Sequence, residues 1–193
     1  MPLNSYFNFS VKRKLKVIRK YNCEAEVYDE LHFEEQFKKY SLMKGFVALR
    51  ESDVCLDCGC GTGLLITQLL NKPKLIVGVD FSIGMLKKAK EKFKGESKVE
   101  LVLADVNFLP FINEVFDNVF SFTVIEGKIN GVKALKEIHR VAKRDSLVIL
   151  SILKEALNIS KLKATIKENK FKIVNEALTN LSSKDYLFIL QKT

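Results

Sequence analysis

The residues best suited to chemistry are three aspartates that close short apolar runs, Asp57, Asp80 and Asp105, and three glycines at alternate positions after the first, Gly59, Gly61 and Gly63. The run Val54-Cys55-Leu56-Asp57 reads as a buried strand, and Leu64-Leu65-Ile66 begins a helix. Alternate glycines let the backbone take conformations closed to other residues and approach a ligand closely. The helix beyond presents unpaired N–H groups. A ligand would lie across the carboxyl end of that strand. Asp80 follows Asp57 by 23 residues, after Leu75-Ile76-Val77-Gly78-Val79, and is placed to accept hydrogen bonds from ribose hydroxyls. Asp105 ends a third such run, Val99 to Ala104. One terminal acid is common by chance; three at the same edge of successive strands are hard to dismiss.

Spacing narrows the ligand. A dinucleotide fingerprint needs glycine or alanine where Leu64 stands, and a phosphate loop needs Lys and Ser/Thr where two leucines follow Gly63. The stretch Asp57-Cys58-Gly59-Cys60-Gly61-Thr62-Gly63 instead resembles the Asp-x-Gly-x-Gly-x-Gly motif of class I S-adenosylmethionine-dependent methyltransferases, in particular the small-molecule and quinone-biosynthesis type. The resemblance runs from Tyr28 almost to the end of the chain, and its strength lies in ordered spacing.

The resemblance implies S-adenosyl-L-methionine as cofactor. Asp57, Gly59, Cys60, Gly61 and Gly63 would hold its cationic methionine end. Asp80 would take the ribose, and Phe81, Ser82 and Met85, in a stretch like the family's Asp-x-Ser-x-x-Met-Leu, would stand beside the adenine. Asp105 and Val106 would meet the adenine edge, and Phe122, at the end of the fourth strand, is grouped with the cofactor residues. Tyr28-Asp29 resembles a Tyr-Asp signature upstream of the glycine loop. Tyr28, His32 and Glu126 are the catalytic candidates, should an acceptor need a base. The Asn/Asp-Pro-Pro-Tyr/Phe motif of enzymes that methylate base amines is absent from strand four. Glu137-Ile138-His139-Arg140-Val141 resembles a structural Glu-x-x-Arg-Val.

The elements that must position these residues follow from the pattern. Amphipathic helices, broken near Asp29, form an N-terminal cap over residues 1–50; strands and helices then alternate through 51–193, closing on a β-hairpin. The expected fold is α/β, a doubly wound seven-stranded sheet with its last strand antiparallel, in one domain.

Composition sets outer bounds. At 193 residues, 47% hydrophobic and 28% charged, the chain is globular, and no apolar run reaches the ~18 residues of a bilayer span. A cytoplasmic location without membrane insertion is expected. Cys55, Cys58 and Cys60 lack a second Cys-x-x-Cys and read as small packing residues, so no metal is expected. The net charge of +9 is uneven: Lys12, Arg13, Lys14, Lys16, Arg19 and Lys20 have no acid among them, and a second basic run spans Lys154 to Lys172. These runs fit solvated helix faces or an RNA surface. The acceptor is thus a small molecule or RNA, with a homodimer, a partner protein and a non-catalytic cofactor-binding scaffold as the remaining readings.

Overall fold

A computed structural model describes residues 3–124, 130–153, 158–178 and 185–193, with side chains left undescribed at 3–10, 130–131 and 177–178. The elements in chain order are α1 (Leu3–Glu24), α2 (Tyr28–Lys44), β1 (Val54–Cys58), α3 (Leu64–Leu69), β2 (Leu75–Asp80), α4 (Ile83–Lys92), β3 (Val99–Leu103), β4 (Phe116–Phe122), α5 (Asn130–Val141), β5 (Ala142–Leu153), α6 (Ile159–Glu168), β6 (Phe171–Leu178) and β7 (Asp185–Lys192). The strands form one sheet in the order β3-β2-β1-β4-β5-β7-β6. β1 to β5 pair in parallel, and β7 runs antiparallel to both β5 and β6. This is the expected doubly wound sheet with an antiparallel last strand.

Strand alternation builds a core on each face. Leu56, Val77, Val119 and Leu150 pack against Leu135 and Ile138 of α5 and Leu162 and Ile166 of α6. Cys55, Ile76, Phe120 and Ile149 pack against Met43 of α2, Leu65 and Ile66 of α3, and Leu86 of α4. Chain order reverses between β1 and β4, since β2 and β3 lie to one side and β4 and β5 to the other. In such sheets a crevice opens outside the carboxyl ends of the two strands where the order reverses. Asp57 and Phe122 stand at that crevice.

Several boundaries differ from the expectation. The cap breaks at Ala25–Val27 rather than at Asp29, because Asp29 and Glu30 sit favourably in the first turn of α2. Asp57 lies within β1, since Cys58 still pairs with Val79. β3 ends at Leu103, leaving Asp105 in the following loop. Ser82 caps α4 as expected, its Oγ accepting from the Met85 N–H at 3.2 Å. Glu137 and Arg140 have a structural part. Arg140 donates to the carbonyls of Leu109 and Phe111, while Glu137 accepts from the Leu109 N–H, which fixes the loop between β3 and β4.

Candidate functional site

The glycine loop bends back over the end of β2. Gly59 N–H and Cys60 N–H both donate to the Val79 carbonyl, at 2.7 and 3.0 Å. Gly59 has φ +74°, and a Cβ there would come within 2.1 Å of Val124. No other residue fits. At Gly61, φ +54°, a Cβ would meet nothing nearer than the Tyr28 ring at 3.9 Å, so the backbone there is bare toward the cap. Gly63 abuts Phe93 and leads into α3. Asp80 holds this loop to the start of α4: one carboxylate oxygen accepts from Gly61 N–H at 3.0 Å and the other from Ser82 N–H at 2.8 Å. Burial raises the Asp80 carboxyl above its ordinary range, against the pull of backbone N–H groups of Ser82, Gly61 and Phe81.

Between loop and cap lies a cavity of about 20 Å³, lined by Tyr28, Gln36, Tyr40, Asp57, Gly61 and Phe122 among others. Asp57 is 2% exposed, and its Oδ2 has no hydrogen-bond partner among the described residues. Burial, aided by the charge of Asp80, pushes its carboxyl up to about 8. A buried carboxylate without a partner is costly, and a cationic ligand would offset that cost. Burial also raises the Tyr28 phenol, with the charges of Tyr21, Asp80, Glu35 and Asp29 adding to it. Tyr28 therefore stays protonated at neutral pH, with an O–H to donate rather than a phenolate to serve as base. The His32 ring lies 4.6 Å from it, one helical turn along α2.

The cap is clasped over the other half of the crevice by α1 and the start of α2. Asn22 Oδ1 accepts from Ser82 Oγ and from Gly84 N–H, both at 2.8 Å. Tyr21 lies 6.3 Å from the Phe81 ring. Met85 is fully buried on α4, and Val106 packs at the rim of the core. Asp105 is paired with Lys14 of α1 and accepts from both nitrogens of Asn107. Burial pulls its carboxyl up, but Lys14 and Asn107 outweigh this and hold it below the usual range. Asp29 accepts from Thr62 Oγ1 and pairs with Lys92 at 2.7 Å, docking α2 on the glycine loop.

This constellation coincides with a known domain. A family model described as "Methyltransferase domain" matches residues 56–150. Over those residues the chain belongs to the methyltransferase domain family. It is 31% identical to a malonyl-[acyl-carrier protein] O-methyltransferase of Marinomonas sp. over 76% of this chain and 54% of that protein. It is 29% identical to a demethylmenaquinone methyltransferase of Staphylococcus aureus over 70% of this chain and 59% of that protein. The solved structure of a SAM-dependent methyltransferase from Aquifex aeolicus shares the fold, with TM-score 0.74 and 18% identity over 89% of this chain and 98% of that one. The chain spans between about a quarter and two thirds of the length of the curated relatives it matches.

Beside the methyltransferase crevice lies a polar hub that the sequence reading missed. Lys39 of α2, 1% exposed, donates to Glu35 at 2.8 Å and to Thr123 Oγ1 at 3.0 Å, and pairs with Asp185 at 2.7 Å. Asp185 also accepts from Thr123 Oγ1 at 2.9 Å and Ser151 Oγ at 2.8 Å. Thr123, directly after β4, has φ +58°, a strained conformation for a β-branched residue, and the hub's hydrogen bonds hold it there. The hub ties the cap to the carboxyl ends of β4 and β5. Glu126, the third catalytic candidate, lies outside the described residues.

The cysteines do not converge. Cys55 and Cys58 face opposite core layers, and burial raises all three thiols, Cys55 to about 12. Among the described residues no group of three or more His, Cys, Asp or Glu could hold a metal ion. Among them, no helix is long and apolar enough to cross a membrane. The basic runs are also separated. α1 packs on α4, which lies on β2 and β3, while α6 packs on β6 at the opposite edge of the sheet.

Proposed function

We propose that this chain binds S-adenosyl-L-methionine in the crevice between β1 and β4 and transfers its methyl group to a small-molecule acceptor admitted beneath the α1–α2 cap. The observation that carries this reading is Asp57: a buried carboxylate oxygen without a partner, facing a cavity under a glycine loop, suits a cation far better than a phosphate. The donor set fits the cofactor. Asp57 and the bare backbone of Gly59, Cys60, Gly61 and Gly63 take the methionine end; Asp80 turns its remaining acceptor capacity to the ribose; and Phe81, Ser82, Met85, Asp105 and Val106 line the adenine side. When bound, the cofactor supplies a methyl group already activated on a sulfonium. The chain's task is then to hold the acceptor in line, within about 3–3.5 Å, and to exclude water. Phe122 and the strained Thr123 shape the floor of that space, and Tyr28 and His32 its roof.

The two curated relatives are named for malonyl-[acyl-carrier protein] and for demethylmenaquinone; these names support a small metabolite group, free or on a carrier, as the methyl acceptor, and we extend that class to this chain. An RNA acceptor is disfavoured, because its two basic runs lie at opposite edges of a seven-stranded sheet, roughly 29 Å apart at strand spacing, and Lys14 already pairs with Asp105. A scaffold would have no use for an unpaired buried Asp57. The proposed setting is cytoplasmic, with residues 1–193 acting as one domain. The test is calorimetric titration with S-adenosylmethionine and S-adenosylhomocysteine against NAD as control, followed by transfer of labelled methyl to hydroxyquinones, carboxylic thioesters and RNA. Binding of NAD alone refutes the cofactor, and labelling of RNA alone refutes the acceptor class.

A further inference from the structure

The cavity under the glycine loop contains a second orphan. Gln36 lies on the inner face of α2, two helical turns beyond Tyr28 and one beyond His32, and is 7% exposed. Gln36 lines the same cavity as Asp57, and its buried Oε1 has no hydrogen-bond partner among the described residues. Two buried hydrogen-bond acceptors thus border one space, one from the sheet and one from the cap. A buried acceptor without a partner costs free energy. The cavity, about 20 Å³, has the size of a single water molecule or a single ammonium group. An ammonium brings three N–H donors, more than one carboxylate oxygen can take. A phosphate or carboxylate brings only acceptors and would be repelled.

We propose that Gln36 is a cofactor-binding residue: its Oε1 accepts one N–H of the ammonium group at the amino-acid end of the bound ligand, and Asp57 Oδ2 accepts another. The assignment rests on the cofactor reading above and adds a residue from the cap to it. It makes the cap part of the binding site rather than a cover. α2, docked on the loop through Asp29, presents Gln36 to an ammonium that both elements hold.

The test compares S-adenosylhomocysteine, which has the amino-acid end, with 5′-methylthioadenosine, which lacks it, on wild-type protein and on Gln36→Leu and Gln36→Glu. The Leu variant should bind S-adenosylhomocysteine roughly tenfold or more weakly while holding methylthioadenosine within about twofold, as expected for loss of one hydrogen bond to a charged group. The Glu variant keeps an oxygen in place for the ammonium, so it should bind S-adenosylhomocysteine more tightly than the Leu variant does while leaving methylthioadenosine within about twofold. Equal losses for both ligands in the Leu variant would make Gln36 a packing residue and overturn the proposal, as would no loss for either. Failure of the wild-type protein to bind either adenosine ligand would overturn the cofactor reading itself, a result distinct from a variant without selectivity.

Discussion

Asp57→Asn should make the empty protein more stable and the ligand-bound protein weaker, with both effects set by pH. The folded carboxyl titrates at about 8, raised from 3.8 by burial and by Asp80. In the unfolded chain it ionises near 3.8, so between those values the folded state holds a proton that the unfolded state has lost. Stability therefore falls as pH rises through this window and is flat on either side. The slope reaches roughly 1.4 kcal/mol per pH unit, so the accumulated cost near pH 7 is on the order of 4 kcal/mol at its limit. Asparagine carries no such cost. Urea titrations from pH 5 to 8.5 without ligand should show the variant gaining on wild type as pH rises and drawing level toward pH 4. Binding runs the other way. At pH 7 roughly nine in ten wild-type molecules hold the proton, and a cationic ligand must expel it. Calorimetry in buffers of different ionisation enthalpy should record release of close to one proton per S-adenosylhomocysteine, and affinity that improves from pH 6 to 8. The variant should release none and bind about ten- to a hundredfold more weakly at pH 8, the value of hydrogen bonds to a charged group. An Asp57→Asn protein less stable than wild type at pH 8, or wild-type binding without proton release, would refute this account.

Three further outcomes are expected. Asp80→Ala removes the acceptor for both Gly61 N–H and Ser82 N–H, and should weaken S-adenosylhomocysteine by about 1–3 kcal/mol while speeding hydrogen exchange at those two amides. Lys39→Met leaves the buried Asp185 without its lysine and should cost about 3–5 kcal/mol in denaturant melts, while Lys39→Met with Asp185→Leu should recover much of the loss. Gly59→Ala sets a methyl group 2.1 Å from Val124 at a positive φ, and should abolish ligand binding with a lowered melting temperature.

Much of this was legible because the signals were local. Glycine spacing, the β-branched runs and the terminal acids each lie within a dozen residues, and period-2 burial follows directly from them. Of the stripe Tyr28, His32, Gln36 and Tyr40, only Tyr28 and His32 were singled out; the four-residue spacing places Gln36 and Tyr40 on the same helix face, but nothing local marks that face as the one turned to the cavity. The Lys39 hub was not legible. In Lys38-Lys39 both residues read as solvated, and burial of the second is decided by Asp185, whose pairing depends on the last strand folding back antiparallel beside β5. The role of Asp105 in the closed cap was likewise hidden, because its partner Lys14 lies 91 positions away on α1.

That pairing explains how so small a cavity is compatible with so large a ligand. Among its described side chains, α1 meets the crevice through Lys14 on Asp105, Asn22 at the start of α4, and the Tyr21 ring near Phe81. Much of the helix is exposed, Val11 and Leu15 included. The Lys14 side chain is 43% exposed, and a pair of that kind contributes little. α2, by contrast, is anchored through Lys39 and Asp29. The cap therefore divides into a firmly held inner helix that meets the methionine end and a lightly held outer helix over the adenosine end. In the proposed site, entry and exit of the cofactor would displace α1, and Asp105 would exchange Lys14 for an N–H donor of the ligand. On this argument Lys14→Ala should leave stability within about 1 kcal/mol of wild type and speed ligand association, because the outer helix opens without first breaking an ion pair. Slower association in that variant would place the gate in α2 instead.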